Sequence, residues 1–230
     1  MDKQTCPDRR HLLLYRAAQK GTFGEYHAFP HSSITDALFV YLDGEPEEES
    51  IAAVEEQYRV RPLVGLTEGW ENYIREHHPE AAVYRRFMMI PSKTFTLPEA
   101  KPLPEGYDLT EMDEKAFGLH PFSHGENYPD YEAFRKEGSG AVVYHNEEIV
   151  ASASSFLSLE GEAELDVSTE ESHRKKGLAE ACVIRMLRDC MNRGITVHWD
   201  AQNEISLHMA EKYGFKLETE YSVYWLPEKA

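Results

Sequence analysis

The segment from His173 to Ala179 has the residue types that bind a phosphate group. It reads His-Arg-Lys-Lys-Gly-Leu-Ala and joins a strand-like run to a helix-like run. The first amides of a helix lack intrahelical partners and carry partial positive charge, and a glycine lets a ligand approach them closely. Three cations precede Gly177 in this segment. The pattern predicts an anion site, although a basic loop before a helix is also an ordinary solvated turn.

Two common nucleotide motifs do not describe this segment. The sequence contains neither Gly-x-x-x-x-Gly-Lys nor Gly-x-Gly-x-x-Gly. The strand and helix around Gly177 also come late in the chain, whereas a dinucleotide fingerprint is expected in the first strand-to-helix turn. A Walker loop and a dinucleotide-binding turn are therefore excluded.

The helices and strands that must position this segment can be predicted from the sequence from residue 141 onward. The patterns predict three strands, then a helix, a strand, a helix and a last strand. In sequence order these elements are 141–144, 149–156, 163–169, 177–192, 196–199, 203–213 and 216–226. Strand-helix-strand connections of this length make neighbouring strands parallel, and ligands bind beyond the carboxyl ends of such strands.

A proline-rich stretch predicts a domain boundary near residue 104. Four prolines lie between Pro91 and Gly106, and proline lacks the amide that a helix or central strand requires. We therefore divide the chain into an N-terminal domain, 1–104, of unassigned role and a C-terminal domain, 105–230. In the N-terminal part the patterns predict helices at 8–20, at 35–42, after Ser50 and from an N-cap at Thr67 to Pro79, and a strand at 81–90.

Charge and cysteine content limit the classes of partner and compartment. The 24 Lys and Arg against 41 Asp and Glu give a net charge of −17, a field that repels polyanions and attracts protonated amines. Nucleic acid is therefore not an expected partner, and no segment has the roughly 20 apolar residues of a membrane span. The three cysteines form no disulfide framework, so we expect a reducing, cytoplasmic location and no membrane association.

Two motifs on the predicted elements resemble the signatures of one enzyme superfamily. The first is Arg174-x-x-Gly177-x-Ala179, preceded by the strand at 163–169. The second begins with Asn203-Glu-Ile-Ser206 and continues with Ala-Glu-Lys-Tyr-Gly-Phe at 210–215. Together they resemble the GNAT superfamily of acyl-CoA-dependent N-acetyltransferases, over about residues 106–226. The run Trp-Asp-Ala-Gln-Asn at 199–203, with the chain length, is similar to a bacterial subgroup that carries an extra N-terminal domain.

The resemblance implies a fold and an acetyl-CoA site. The implied fold class is α/β (α+β), with a mixed central sheet, splayed parallel strands and flanking helices, plus a smaller N-terminal α/β domain. The pyrophosphate would lie against Arg174 and the amides of the next five residues, and pantetheine would pair with β-strand residues and contact Asn203. Asn203 is equally well explained as a plain helix N-cap. The implied cofactor residues are Val167, Thr169, Arg174, Lys175, Lys176, Gly177, Leu178, Ala179 and Asn203.

The resemblance also directs attention to acid and base groups. Many superfamily members place the general base on the third strand, which makes Glu164 the first candidate. Glu164 and Asp166 are also explained as acidic residues on a solvent-exposed face of the sheet. Ser206 is a second candidate catalytic residue, although it is also explained as an ordinary residue of the first helical turn. Where many members have a tyrosine as general acid, this chain has Ala210, so the acid is not identified.

The acceptor site is expected in the irregular stretch 117–128, because in this superfamily the segment after the first strand covers the substrate. His120, Phe122 and His124 are the candidate substrate contacts, although loop histidines are often neither acids nor ligands. No metal site is predicted, since His77 and His78 lack ligand spacing with any carboxylate pattern.

The sequence thus predicts an acetyl-CoA-dependent N-acetyltransferase acting by direct transfer on a primary amine. The acidic field favours a small cationic acceptor molecule, and a homodimer is allowed. Two alternatives stay open: a catalytically weak module that binds acyl-CoA or another ligand, and an enzyme that acetylates a protein N-terminus or lysine.

Overall fold

A computed structural model describes residues 6–92, 97–119 and 127–227, and these divide into two compact units. The first unit consists of the described residues within Met1–Met89, Ala201–Leu207 and Leu217–Ala230. The second consists of those within Ile90–Asp200 and His208–Lys216. Each unit combines helices with a mixed sheet, so the fold is mixed α/β. The expected boundary near residue 104 stays a prediction.

The first unit begins with a 3-10 turn at Arg9–His11 and ends with part of the C-terminal strand. Its elements are α1 (Leu13–Gln19), β1 (Glu25–Ala28), β2 (Ser32–Asp36), β3 (Val40–Gly44), α2 (Glu48–Ala53), a π-helical turn (Val54–Tyr58), β4 (Leu63–Gly65), α3 (Glu68–His77) and β5 (Ala82–Pro91). With β11 (Phe215–Trp225), the strand order is β1-β2-β3-β4-β11-β5. The β3–β4 pair is parallel, and its neighbours β2–β3 and β4–β11 are antiparallel.

The helix expected at 35–42 is wrong, because two paired strands occupy that segment. Ile34, Val40 and Leu42 are completely buried, and Leu42 pairs with Ile34 across β2 and β3. Residues with this spacing bury their side chains on one face of a strand pair, and a tight turn closed by Ala37 N–H to Phe39 O connects them. Tertiary pairing therefore overrides the local helical pattern.

Other expectations for the first unit are confirmed. The helix expected at 8–20 corresponds to the 3-10 turn and α1, which are separated at Leu12. Thr67 is the N-cap of α3, where its hydroxyl accepts the Trp70 N–H at 3.4 Å. The strand expected at 81–90 is β5.

The elements that carry the two sequence motifs belong to the second unit, except that residues 201–207, which end one strand and begin the helix after it, belong to the first. They are β6 (Tyr107–Glu111), α4 (Glu114–Leu119), α5 (Tyr131–Glu137), β7 (Gly140–His145), β8 (Glu148–Leu159), β9 (Glu162–Thr169), a 3-10 turn (Glu171–His173), α6 (Leu178–Arg193), β10 (Thr196–Ala201) and α7 (Glu204–Lys212). The strand order is β10-β9-β8-β7-β6, in which only the described pair β9–β10 is parallel. Every element expected between 141 and 226 is confirmed to within a few residues.

Helix α6 is fixed by an apolar stripe and by glycines at both ends. The stripe consists of Val183, Met186, Leu187 and Cys190, and Leu178, Ala181, Cys182 and Ile184 are buried as well. Burying a large side chain of this kind contributes roughly 1.5–3 kcal/mol relative to exposure. Gly177 and Gly194 cap the helix with φ of 80° and 71°, a left-handed conformation that glycine adopts at low cost. The helix therefore begins at a defined point directly after the basic loop.

Candidate functional site

The start of α6 presents backbone amides that no side chain caps. Gly177 is the N-cap residue, and no side-chain hydrogen bond is made at this position. A Cβ built on Gly177 would have no atom within 4 Å, so the space at that position is open. Lys175, with φ of 63°, also lies in the left-handed region. An uncapped helix start with open space at its N-cap residue is a site that can hold an anion.

The three cations of the basic loop have different surroundings. Arg174 Nε donates to Thr169 O at 3.3 Å, and this bond ties the loop to the end of β9. Lys176 Nζ donates to Ser172 O at 3.2 Å and to Tyr107 Oη at 2.8 Å. The exposed Lys175 ammonium contacts no other described residue. All three charges nevertheless raise the local potential in an acidic protein.

Strand β9 has an edge available for pairing beside this loop. Its parallel pairing with β10 runs from Thr196↔Glu162 to His198↔Glu164, although β9 continues to Thr169. Its antiparallel pairing with β8 on the other side continues to Thr169. Among the described residues, the edge from 165 to 169 therefore faces no paired strand. Val167 and Thr169, which are half-buried, lie on this stretch, where an amide-rich ligand can add as a strand.

Glu164 lies at the point where β9 and β10 stop pairing. Its Oε1 accepts the Asp200 N–H at 3.2 Å, and the residue is half-buried. Opposite it in register is the buried His198, whose Nε2 lies 2.5 Å from Glu162 Oε2. The predicted base therefore lies on the same strand as Glu162 and opposite His198 in the β9–β10 register.

Sequence reasoning missed the Glu162–His198 pair. The alternation of acidic residues along β9 was visible in the sequence, but only the β9–β10 register brings His198 to that face.

Asn203 and Ser206 lie in the first unit, at the start of α7. Asn203 Oδ1 accepts the Ser206 N–H at 3.0 Å, which is the N-cap arrangement. The cap role predicted for Asn203 is confirmed, and Ser206 fills the first turn as its backbone partner. A pantetheine contact for Asn203 and a catalytic role for Ser206 stay predictions.

Ala210 stands where many members of the GNAT superfamily have a tyrosine as general acid, and no described tyrosine takes its place. Ala210 is completely buried, and Tyr213 packs in the core against Trp199, with ring centroids 6.4 Å apart. Burial raises the pKa of Tyr213. Tyr128 is also buried, and its hydroxyl is bonded to Ser155 O and Ser158 Oγ at 3.2 and 2.8 Å. Burial raises the pKa of Tyr128 as well.

The predicted acceptor contacts His120, Phe122 and His124 lie outside the described residues. The one group of potential metal ligands found in the described part of the chain is Asp8, His11 and Glu218. Both carboxylate oxygens of Asp8 already accept from Arg10, so we assign no ion to this group. Within the described ranges, no helix is long and apolar enough to cross a membrane.

The family comparison covers almost the whole chain. The GNAT acetyltransferase family matches residues 17–224. A Bacillus subtilis (strain 168) protein called uncharacterized N-acetyltransferase YdfB is 24% identical over 240 residues, which cover 97% of this chain and 92% of that protein. These matches extend over both structural units.

Solved structures give the same result for the fold. A GCN5-related N-acetyltransferase-like protein from Streptococcus suis 89/1591 is 27% identical with a TM-score of 0.79, covering 93% of this chain and 92% of that chain. A GCN5-related N-acetyltransferase from Kribbella flavida is 14% identical with a TM-score of 0.58, covering 94% and 96%. The likeness to the second structure concerns the fold alone.

Proposed function

Since this chain belongs to the GNAT acetyltransferase family, whose members typically use acyl-CoA, we propose that it transfers an acetyl group from acetyl-CoA to a primary amine. The observation that carries the proposal is the uncapped start of α6, which opens onto free space at Gly177 beside the open edge of β9. We propose direct transfer in a complex that holds both substrates, with a small cationic molecule as acceptor.

In the proposed complex the two halves of the cofactor use different parts of the second unit. The pyrophosphate accepts hydrogen bonds from the amides of residues 175–179, in the field of Arg174 and the α6 dipole. The pantetheine arm pairs with the open edge of β9 at Val167 and Thr169. Asn203 is proposed as a further pantetheine contact, in addition to its role as helix cap.

The proposed chemistry needs one proton acceptor. The neutral amine nitrogen attacks the thioester carbonyl carbon, a C–N bond forms, and the C–S bond then breaks to release the CoA thiolate. Glu164, which is half-buried at the point where β9 and β10 separate, takes the proton that the acceptor ammonium must lose before attack, directly or through one water. The second proton leaves the nitrogen after the C–N bond has formed and reaches the thiolate through water, since Ala210 offers no hydroxyl.

The charge of the chain supports a cationic acceptor. A net charge of −17 raises the local concentration of cations and opposes association with nucleic acid and anionic membranes. The cysteines Cys6, Cys182 and Cys190 are free, in keeping with a cytoplasmic location. A homodimer is compatible with the proposal.

Calorimetric titration with acetyl-CoA tests the cofactor half of the proposal. We expect saturable binding, and a flat titration would reject the assignment. A thiol-release assay with diamines, neutral amines, acidic amino acids and short peptides then tests the acceptor half, with cationic amines expected to react fastest. Tight acetyl-CoA binding without thiol release from any amine would favour a binding module, to which the buried Ala210 gives some support.

Replacing the proposed base gives a separate test. Glu164→Gln should lower kcat by a factor on the order of 10² to 10⁴, the usual contribution of a general base, while acetyl-CoA affinity stays the same. Asp166→Asn, a change two residues along the same strand, is the matched control. Equal kcat values for the wild type and Glu164→Gln would remove the assignment.

A further inference from the structure

Tyr107, at the start of β6, contacts the basic loop although it lies 66 to 69 residues before it in sequence. Its hydroxyl oxygen lies 2.8 Å from Lys176 Nζ and 2.9 Å from His173 Nδ1. The Lys176 ammonium also lies 5.3 Å from the centroid of the Tyr107 ring. One side chain outside both sequence motifs thus contacts two residues of the loop.

The Lys176 ammonium is hydrogen-bonded within the loop and to Tyr107. Lys176 Nζ donates to Ser172 O at 3.2 Å as well as to Tyr107, so its ammonium closes the turn from Ser172 to Lys176. Inside this turn Lys175 has φ of 63°, a conformation that residues with a side chain rarely adopt and that surrounding contacts must maintain. Lys176 therefore acts on the loop backbone.

The Tyr107 ring is itself held in place. It stacks on His145, its register partner on β7, with centroids 4.4 Å apart and planes at 18°. His145 Nδ1 in turn lies 2.8 Å from Gly106 O. The ring of His173 meets Tyr107 edge-on at 5.7 Å. These contacts fix where the Tyr107 hydroxyl lies.

The Tyr107 hydroxyl makes both hydrogen bonds at one oxygen. An ammonium can only donate, so this oxygen accepts from Lys176, and the histidine tautomer sets the direction of its bond with His173 Nδ1. In such a chain each bond polarises the next and strengthens it. Deleting the hydroxyl removes a partner from both loop residues at once.

We propose that Tyr107 is a positioning residue for the acyl-CoA pyrophosphate, acting through Lys176 and His173 on the backbone amides of residues 175–179. The inference rests on the proposed function of the loop. It assigns Lys176 a different role from that of a phosphate ligand, because its ammonium stabilises the loop through Tyr107 and Ser172 O.

A double-mutant cycle separates these two roles. The variants are Tyr107→Phe, Lys176→Met and the double variant, each titrated with acetyl-CoA and with S-acetyl-pantetheine, which lacks the pyrophosphate. We expect Tyr107→Phe to weaken acetyl-CoA binding about five-fold in the wild type and much less in the Lys176→Met background, where the bond between Tyr107 and Lys176 is already absent. Lys176→Met alone should weaken binding by at least the same factor, because it also removes one positive charge and the bond to Ser172 O. Affinity for S-acetyl-pantetheine should stay the same in all three variants, because that compound lacks the pyrophosphate. For Tyr107→Phe, the loss should appear in the KM for acetyl-CoA, while kcat at saturating acetyl-CoA stays the same.

Tyr144→Phe is the matched control. Tyr144 lies on β7 in the same unit, pairs with Asp108 across β6, and its hydroxyl bonds none of the described residues. It should bind both cofactor forms as the wild type does. If Tyr107→Phe folds poorly, Lys176→Met still tests the proposal, because the Lys176 side chain is exposed.

The outcomes distinguish the inference from the proposed function. A wild type that binds acetyl-CoA and a Tyr107→Phe variant that binds it equally well would overturn the inference alone. Losses that multiply to about twenty-five-fold or more in the double variant would also overturn it, since independent losses would mean that Lys176 contacts the phosphate itself. A wild type that does not bind acetyl-CoA would remove the proposed function and the inference together.

Discussion

Adding one methyl group at Gly177 should weaken acetyl-CoA binding far more than the same change at Gly194. Both glycines cap α6, both have positive φ, and neither would place a Cβ within 4 Å of another atom. Gly177→Ala and Gly194→Ala therefore carry the same conformational cost, and they differ in which end of the helix they modify.

The magnitudes follow from the geometry. An alanine in the left-handed region costs about 1–2 kcal/mol, so each variant should unfold roughly 2–8 °C below the wild type. At Gly177 the new methyl also occupies the open space at the N-cap of α6, where the pyrophosphate is proposed to bind. Losing one hydrogen bond between an amide and a charged phosphate costs about 1.5–3 kcal/mol, which corresponds to a Kd increase of about 12- to 140-fold.

Calorimetry with acetyl-CoA and thermal unfolding of the free proteins together measure both effects. We expect similar unfolding midpoints for the two variants and a raised Kd for Gly177→Ala only. Similar Kd values for both variants, with equal stability losses, would refute the argument, because the space at Gly177 would then not be where the anion binds.

Three further predictions concern other parts of the chain. Asn203→Ala removes the cap of α7 and should lower the free energy of unfolding by about 1 kcal/mol in urea titrations; no change would mean that the Ser206 N–H finds another acceptor. Burial raises the pKa of the Cys182 and Cys190 thiols to about 12, so iodoacetamide at pH 8 should label neither until denaturant is added, and mass spectrometry of the native protein would reveal an exception. Burial also raises the pKa of Glu71, whose carboxylate accepts a hydrogen bond from the Tyr224 hydroxyl at 2.7 Å. The folded protein therefore holds a proton that the unfolded chain releases near pH 4, so the wild type should lose stability relative to Glu71→Gln as the pH rises from about 4 to 7. Parallel curves of unfolding free energy against pH for the two proteins would contradict this.

The sequence predicts the elements from residue 141 onward well because their signals are local. Gly177 and Gly194 mark the ends of α6, the apolar stripe sets its face, and Asn203 has the residue type of an N-cap. The alternating strands from 141 onward are correct for the same reason. These features depend on neighbours within one helical turn or one strand.

The sequence does not reveal features that depend on register or on distant contacts. The pattern at 35–42 favours a helix, and only the pairing of Leu42 with Ile34 selects strands. His198 reaches Glu162 through the β9–β10 register, and Tyr107 reaches Lys176 across 69 residues. Each contact requires the sheet to be assembled before the residues meet.

The stoichiometry of acetylated amine to released CoA tests the central claim most directly. Purified protein is mixed with acetyl-CoA and a small cationic amine, free thiol is measured by colour reaction, and the acetylated amine is measured by mass spectrometry. We expect one acetylated amine for each CoA released, and a release that depends on the amine and falls sharply in Glu164→Gln. Bound acetyl-CoA that yields no acetylated amine from any member of the panel would contradict it.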